Sequence, residues 1–151
     1  LKKVFLMINI QFEIDQQVVS PNVKISKEII SSVLKGEGKT VADILVIYTI
    51  DQILSDLKKN FFNKDHLTDV IAFRMNAYEE VKVEGEIYIS IPRVKINARE
   101  YGQSFSKELA RIIIHGSLHL LNYDDATSNE KIRMTEKEDY YLKECSWEGL
   151  L

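Results

Sequence analysis

Two of the chain's three histidines, His115 and His119, stand four residues apart in a run that otherwise reads as a buried helix. Residues at i and i+4 project from the same helical face, one turn apart, so one metal ion could take both imidazoles. Asn122 follows as a helix-ending residue, and Asp124 and Asp125 come next. Asparagine tolerates the left-handed conformation that ends a helix, and a chain turning back there brings Asp124 or Asp125 toward the histidines. Two helical ligands plus one from the turn make a three-ligand site with a position left for water, which is what a hydrolytic metal needs. Imidazole and carboxylate suit zinc and do not exclude manganese, iron or nickel. His66 is the rival third ligand; it sits in a polar loop, Asn63-Lys64-Asp65-His66, and is read as solvated.

The residue after His115 separates chemistries. Zinc peptidases of the H-E-x-x-H type place their general base there. This chain has Gly116, so peptide hydrolysis by that route lacks its base. Glu108, Arg111, Asp124 and Asp125 remain as acid, base or charge-stabilising groups.

The elements that must position these residues are legible from periodicity. Val4–Ile10 reads as a strand, Lys24–Leu34 as a helix stopped by Gly36 and Gly38, and Ala42–Ile50 as a strand buried on both faces. Asp51 is expected to cap a helix running to about Phe62. Short strands follow at Asp69–Phe73 and Gly85–Ile91, separated by a charged turn region from Tyr78 to Gly85. Pro92 starts a helix through Arg99 that Gly102 closes. Ser104 or Ser106 opens the long histidine helix. In that helix Leu109, Ile112, Ile113, Gly116 and Leu120 form an apolar stripe, and Glu108, Arg111, His115 and His119 a polar one. Gly116 costs helix stability, which suggests that another backbone approaches there. Thr127-Ser128-Asn129-Glu130 is a capping box opening a last helix to about Cys145. Strands dominate the first half and helices the second. The expectation is a single α+β domain over residues 1–151, with a small mixed β-sheet packed with helices and a zincin-like metal-site helix.

Composition narrows the setting. The chain has 151 residues, 45% hydrophobic and 28% charged, enough for one domain with a real core. A lone cysteine, Cys145, excludes internal disulfides and multi-thiolate zinc sites and suits a reducing cytoplasm. The apolar stretch at the N-terminus is too short for a membrane span, and no small-residue cleavage site follows it, so no export or membrane segment is expected. The net charge of −3 does not announce a nucleic-acid binder, but its distribution is uneven. Arg93, Lys95, Arg99, Lys107 and Arg111 lie close together against only Glu100 and Glu108. Such a stretch could meet phosphates despite the acidic total.

The segment His-Gly-Ser-Leu-His-Leu-Leu-Asn-Tyr-Asp-Asp resembles the H-G-x-L-H-L-x-G-Y-D-H signature of the YbeY family of rRNA maturation factors. Thr68-Asp69-Val70-Ile71-Ala72-Phe73 is similar to that family's T-D-V-L-S-F strand, and Gly85-Glu86-Ile87-Tyr88-Ile89-Ser90 to its G-D-I-x-I-S strand. Glu108-Leu109 with Arg111 precedes the signature at the expected offset, and Met134 with Glu138 fits its M-x-x-x-E. The similarity runs from about Thr40 to the C-terminus.

The resemblance implies a single-strand-specific, metal-dependent endoribonuclease acting in 3′-end maturation of small-subunit rRNA and in ribosome quality control. It implies one divalent ion per chain, zinc in the first instance, held by His115, His119 and Asp125. Single-stranded rRNA and the small ribosomal subunit with its proteins are the implied partners. Arg111 would add catalytic charge, and Arg93, Lys95, Arg99 and Arg74 would contact RNA. Tyr88, Tyr101 and Tyr123 are candidates to stack on unpaired bases.

Three departures qualify this. Asp125 stands where most members have histidine, and its charge should make the ion a weaker Lewis acid or change the preferred metal. Asn122 stands in place of glycine. Phe62 occupies the place of an arginine thought to act on RNA, so that role does not transfer. A ribosome-assembly RNA-binding factor with a structural or vestigial metal is the alternative, and a metallopeptidase is disfavoured by Gly116.

Overall fold

Alternating and helical hydrophobic patterns assemble in the order β1 (Met7–Ile14), α1 (Val23–Gly36), β2 (Val41–Thr49), α2 (Asp51–Phe62), β3 (Val70–Arg74), β4 (Val83–Ser90), α3 (Ile91–Glu100), α4 (Phe105–Leu120) and α5 (Ser128–Glu144). The computed structural model describes residues 7–63 and 67–151. Val4 to Leu6 of the expected first strand, and His66, lie outside the described residues.

The strands form one mixed sheet in the order β1-β2-β4-β3. β1, β2 and β4 run parallel, and β3 runs antiparallel to β4 with Ile71 opposite Tyr88. The expected α+β class with a small mixed sheet is what the chain adopts. Ile10, Ile44, Val46, Tyr48, Ile87 and Ile89 bury the inner face against helices. β2 departs from expectation: Asp43 is exposed and Leu45 and Ile47 are only half-buried. The alternating strand pattern therefore describes a sheet covered fully on one face only.

Helix ends follow local chemistry. Asn22 accepts from the Ile25 amide, Ser90 from Arg93 and Ser104 from Lys107, which fixes Ser104 as the cap of α4. The Thr127–Glu130 capping box is present in full. Asp51 does not cap α2 as expected. It is the first helical residue, and its carboxylate instead takes Ser90 Oγ at 2.6 Å and Arg93 Nη2 at 2.8 Å. The longer-range donors win because a partly buried charge-assisted pair binds more strongly than a neutral amide.

α4 is the centre of the molecule, in contact with α1, α3, α5, β3 and β4. A Cβ on Gly116 would come within 2.9 Å of Ile87 Cγ2 and 3.2 Å of Val70 Cγ2. Glycine there lets the helix settle onto the sheet, and this fixes the height of the two flanking histidines above β3 and β4. Among the described residues no helix is long and apolar enough to cross a membrane.

Candidate metal centre

α4 presents His115 and His119 one turn apart, and the chain then reverses. Asn122 takes φ 71°, the left-handed conformation expected of it, and Asp125 comes back over the imidazoles. His115 Nε2 and His119 Nε2 face each other at 2.9 Å. Asp125 Oδ2 lies 3.4 Å from the first and 3.8 Å from the second. Ligand atoms around a tetrahedral ion with bonds of about 2.1 Å stand roughly 3.4 Å apart. A point equidistant from these three atoms lies about 2 Å from each, the length of a zinc–imidazole bond. The donor set and its spacing fit a divalent ion, and three protein ligands leave a further coordination position for water.

Behind the ligands stands an orienting layer. His115 Nδ1 donates to Glu138 Oε2 at 2.7 Å, so its Nε2 is the nitrogen turned toward the centre. His119 makes a backbone hydrogen bond with Tyr123. Glu138 is nearly buried on α5 and also accepts from Arg111 Nη1 at 3.1 Å. Arg111 further reaches Asp139 at 3.5 Å. This is the carboxylate–histidine arrangement by which proteins orient a metal ligand and raise its basicity.

Electrostatics follow from burial and neighbours. Burial works to lower the His115 pKa, but Glu138, Asp125 and Asp69 outweigh it and hold the pKa above the ordinary value. Burial and the nearby His115 push His119 down. Asp69, in the cleft wall, has its carboxyl pushed up by burial, and Asn97 Nδ2 donates to it at 3.1 Å. Glu108, expected on the polar stripe, is buried and its carboxyl is likewise pushed up.

The turn is tethered from the far side. Tyr123 Oη and Tyr141 Oη both donate to the carboxylate of Glu37, and Lys137 Nζ joins them at 3.1 Å. Burial works to raise the Glu37 pKa; the three donors win and lower it. A Cβ on Gly36 would collide with the Tyr141 ring, so glycine at that place admits the tyrosine.

The candidate ligands open into a cleft of about 530 Å³ lined also by Lys58, Phe62, Thr68, Asp69, Val70, Tyr78, Ile112 and Asp124. The expected basic residues are dispersed. Arg93 is committed to Asp51 at 2.8 Å. Arg74 donates to Asn76 Oδ1 and to the carbonyls of Leu120, Ala77 and Lys82, so it ties the end of α4 to the β3–β4 turn. Lys95 and Arg99 are exposed on α3 and are not among the cleft-lining residues. None of the expected stacking tyrosines lines the cleft either: Tyr88 bonds Glu86, Tyr101 is at the end of α3, and the Tyr123 hydroxyl is on Glu37. Sequence reasoning singled out Glu138 only as part of the M-x-x-x-E match and missed its contact with His115. Its signal was a carboxylate among Met134, Tyr141 and Leu142 on the buried side of α5.

Comparisons with known proteins identify the family. A family model described as Endoribonuclease YbeY matches residues 9–146. Endoribonuclease YbeY of Chlorobaculum tepidum is 41% identical over 115 residues, 76% of this chain and 82% of that protein. The same-named protein of Flavobacterium psychrophilum is 37% identical over 137 residues, 91% of this chain and 95% of its own. The solution structure of TM1509 from Thermotoga maritima aligns with a TM-score of 0.61 at 31% identity, covering 91% of this chain and 88% of that one.

Proposed function

We propose that this chain, which belongs to the Endoribonuclease YbeY family, cuts single-stranded RNA internally at the centre formed by His115, His119 and Asp125. The observation that carries the reading is the triangle of three ligand atoms, spaced for one divalent ion and facing an open cleft. Zinc is the proposed ion, because two imidazoles and a carboxylate with a free position are a hydrolytic zinc site. Such an ion supplies an activated water and polarises a phosphoryl oxygen.

The protein's own part is orientation. Glu138 holds the His115 Nδ1 proton and aims Nε2 at the centre. Arg111 acts through Glu138, so its proposed catalytic role is that of a positioning residue. Lys95 and Arg99 remain exposed for the RNA backbone, whereas Arg74 and Arg93 serve the fold first. Precursor rRNA of the small subunit is the proposed substrate, which places the work in the cytoplasm beside the subunit's proteins.

Elemental analysis combined with RNA cleavage, on wild type and His115→Ala, tests the reading. The expected result is one divalent ion per chain and cleavage in the wild type, both lost in the variant. A 2′,3′-cyclic phosphate on the products identifies the RNA's own hydroxyl as nucleophile. Cleavage unchanged by His115→Ala refutes the assignment and favours an RNA-binding assembly factor.

A further inference from the structure

Asp124 belongs to the wall of the metal cleft and also to the wall of a second cavity, of about 310 Å³. Lys39, in the loop after α1, and Arg133, on α5, bring two cations to that cavity. Among the described residues neither forms an ion pair, and the Arg133 side chain makes no hydrogen bond. The three carboxylates of the same walls are engaged. Glu37 takes Tyr123, Tyr141 and Lys137. Glu130 Oε1 accepts the Thr127 amide at 3.0 Å, and Asp124 Oδ1 the Asp125 amide at 2.8 Å. Arg133 has a seat without having a partner. Its guanidinium carbon lies 5.0 Å from the centroid of the Tyr123 ring, whose hydroxyl is moored to Glu37. A ring contact of this kind places the guanidinium and consumes none of its five N–H donors.

Two cations with open donors, one cavity away from a phosphodiester-cutting centre, answer to one ligand chemistry. The geometry points to a phosphate subsite in this second cavity, where Arg133 and Lys39 take the backbone of an RNA strand that continues past Asp124 from the metal cleft. A guanidinium holds a phosphate through two parallel N–H···O bonds, and an ammonium adds a point charge. With Lys137 counted, three cations stand against the three carboxylates, so the subsite works through direct donors and not through a broad positive field. Contacts of this kind fix the course of a strand and read no base. The subsite also supplies positive charge next to the centre, where Arg74 and Arg93 are committed to the fold. The inference rests on the RNA reading above and adds the path of the strand beyond the metal cleft.

The test is the salt dependence of affinity of an unstructured, fluorescein-labelled oligoribonucleotide for the full chain, read by anisotropy. Wild type, Arg133→Ala, Lys39→Ala and the double variant are compared with Lys143→Ala, which removes an exposed cation from the other end of α5. Each phosphate contact on a single strand contributes about 0.7 to the slope of log affinity against log salt. Arg133→Ala and Lys39→Ala should each make the slope shallower by about that amount, and the double variant by about twice as much. Lys143→Ala should leave the slope at its wild-type value. An unchanged slope in Arg133→Ala overturns the subsite. So does an equal change in Lys143→Ala, which would report net charge and no particular place. Cleavage is followed in the same samples. Cleavage with unchanged slopes removes the subsite and keeps the nuclease; shallower slopes in Arg133→Ala and Lys39→Ala without cleavage do the reverse.

Discussion

Replacing Glu138 by Gln removes one charge and almost no volume, and the structure says what that should do. The carboxylate has two oxygens and two donors to satisfy, His115 Nδ1 at 2.7 Å and Arg111 Nη1 at 3.1 Å. A carboxamide has one oxygen and one NH2. Whichever way it turns, a donor faces a donor, either at His115 or at Arg111. If the oxygen serves His115, the orienting bond survives without its charge, and the NH2 repels the guanidinium. If it serves Arg111, the imidazole loses its orienting partner. Losing such an outer partner costs about tenfold to a hundredfold in metal affinity, or roughly 1.4 to 2.8 kcal/mol. Arg111→Ala leaves the carboxylate on His115 and should cost less than Glu138→Gln. The assay is zinc affinity by competition with a chromophoric chelator, with circular dichroism to confirm the fold. Glu138→Gln within twofold of wild type, or Arg111→Ala the more damaging of the two, refutes the relay.

Three further outcomes follow from packing and charge. Gly116→Ala gains about 1 kcal/mol of helix propensity but drives a methyl into Ile87 and Val70. Overpacking of about 1 to 3 kcal/mol should leave a net loss in urea denaturation; a stabilised variant would mean the helix can lift from the sheet. Arg93→Ala removes the partner of Asp51, whose pKa burial raises but the Arg93 and Ser90 hydrogen bonds lower on balance from the ordinary 3.8. A depressed carboxylate pKa stabilises the fold above the ordinary value and loses that contribution as pH falls through the folded value. The stability gap between wild type and variant, about 1 to 2 kcal/mol at neutral pH, should therefore close in acid; a gap independent of pH would assign it to packing. Asp125→His takes a negative charge from the ligand set, so the rise of RNA cleavage with pH should shift to lower pH; superimposable pH profiles would show that the ligand's charge does not set it.

Much of this was legible because the informative interactions are local. The His115–Asp125 segment, the Ser104 cap, the Thr127–Glu130 box and the left-handed Asn122 all depend on residues within ten positions of one another. Spacing alone brings the two imidazoles onto one face. What escaped depends on partners far along the chain. Glu138 meets His115 across 23 positions, and its place in the M-x-x-x-E match did not say what it touches. Asp51 looked like a cap because aspartate before an apolar run usually is one, and nothing local announces Ser90 and Arg93. Arg74 was expected to contact RNA, yet it clasps backbone carbonyls up to 46 positions away. The β2 face was misjudged because an apolar run reports hydrophobicity and not which side is covered.

Glu37 lies far outside the metal segment, 86 positions before Tyr123 and 104 before Tyr141, and it is the group to which both hydroxyls are moored. The loop that carries Asp125 is thus shaped by the end of α1, an element made much earlier in synthesis. A partly folded chain with α4 formed but α1 undocked would have the two histidines without the Glu37 tether that helps to hold the Asp125 turn. An ion bound at this site would therefore stabilise the global fold rather than one helix. The placing of Asp125 over the two histidines thus depends on the docking of α1 as well as on the turn that carries it.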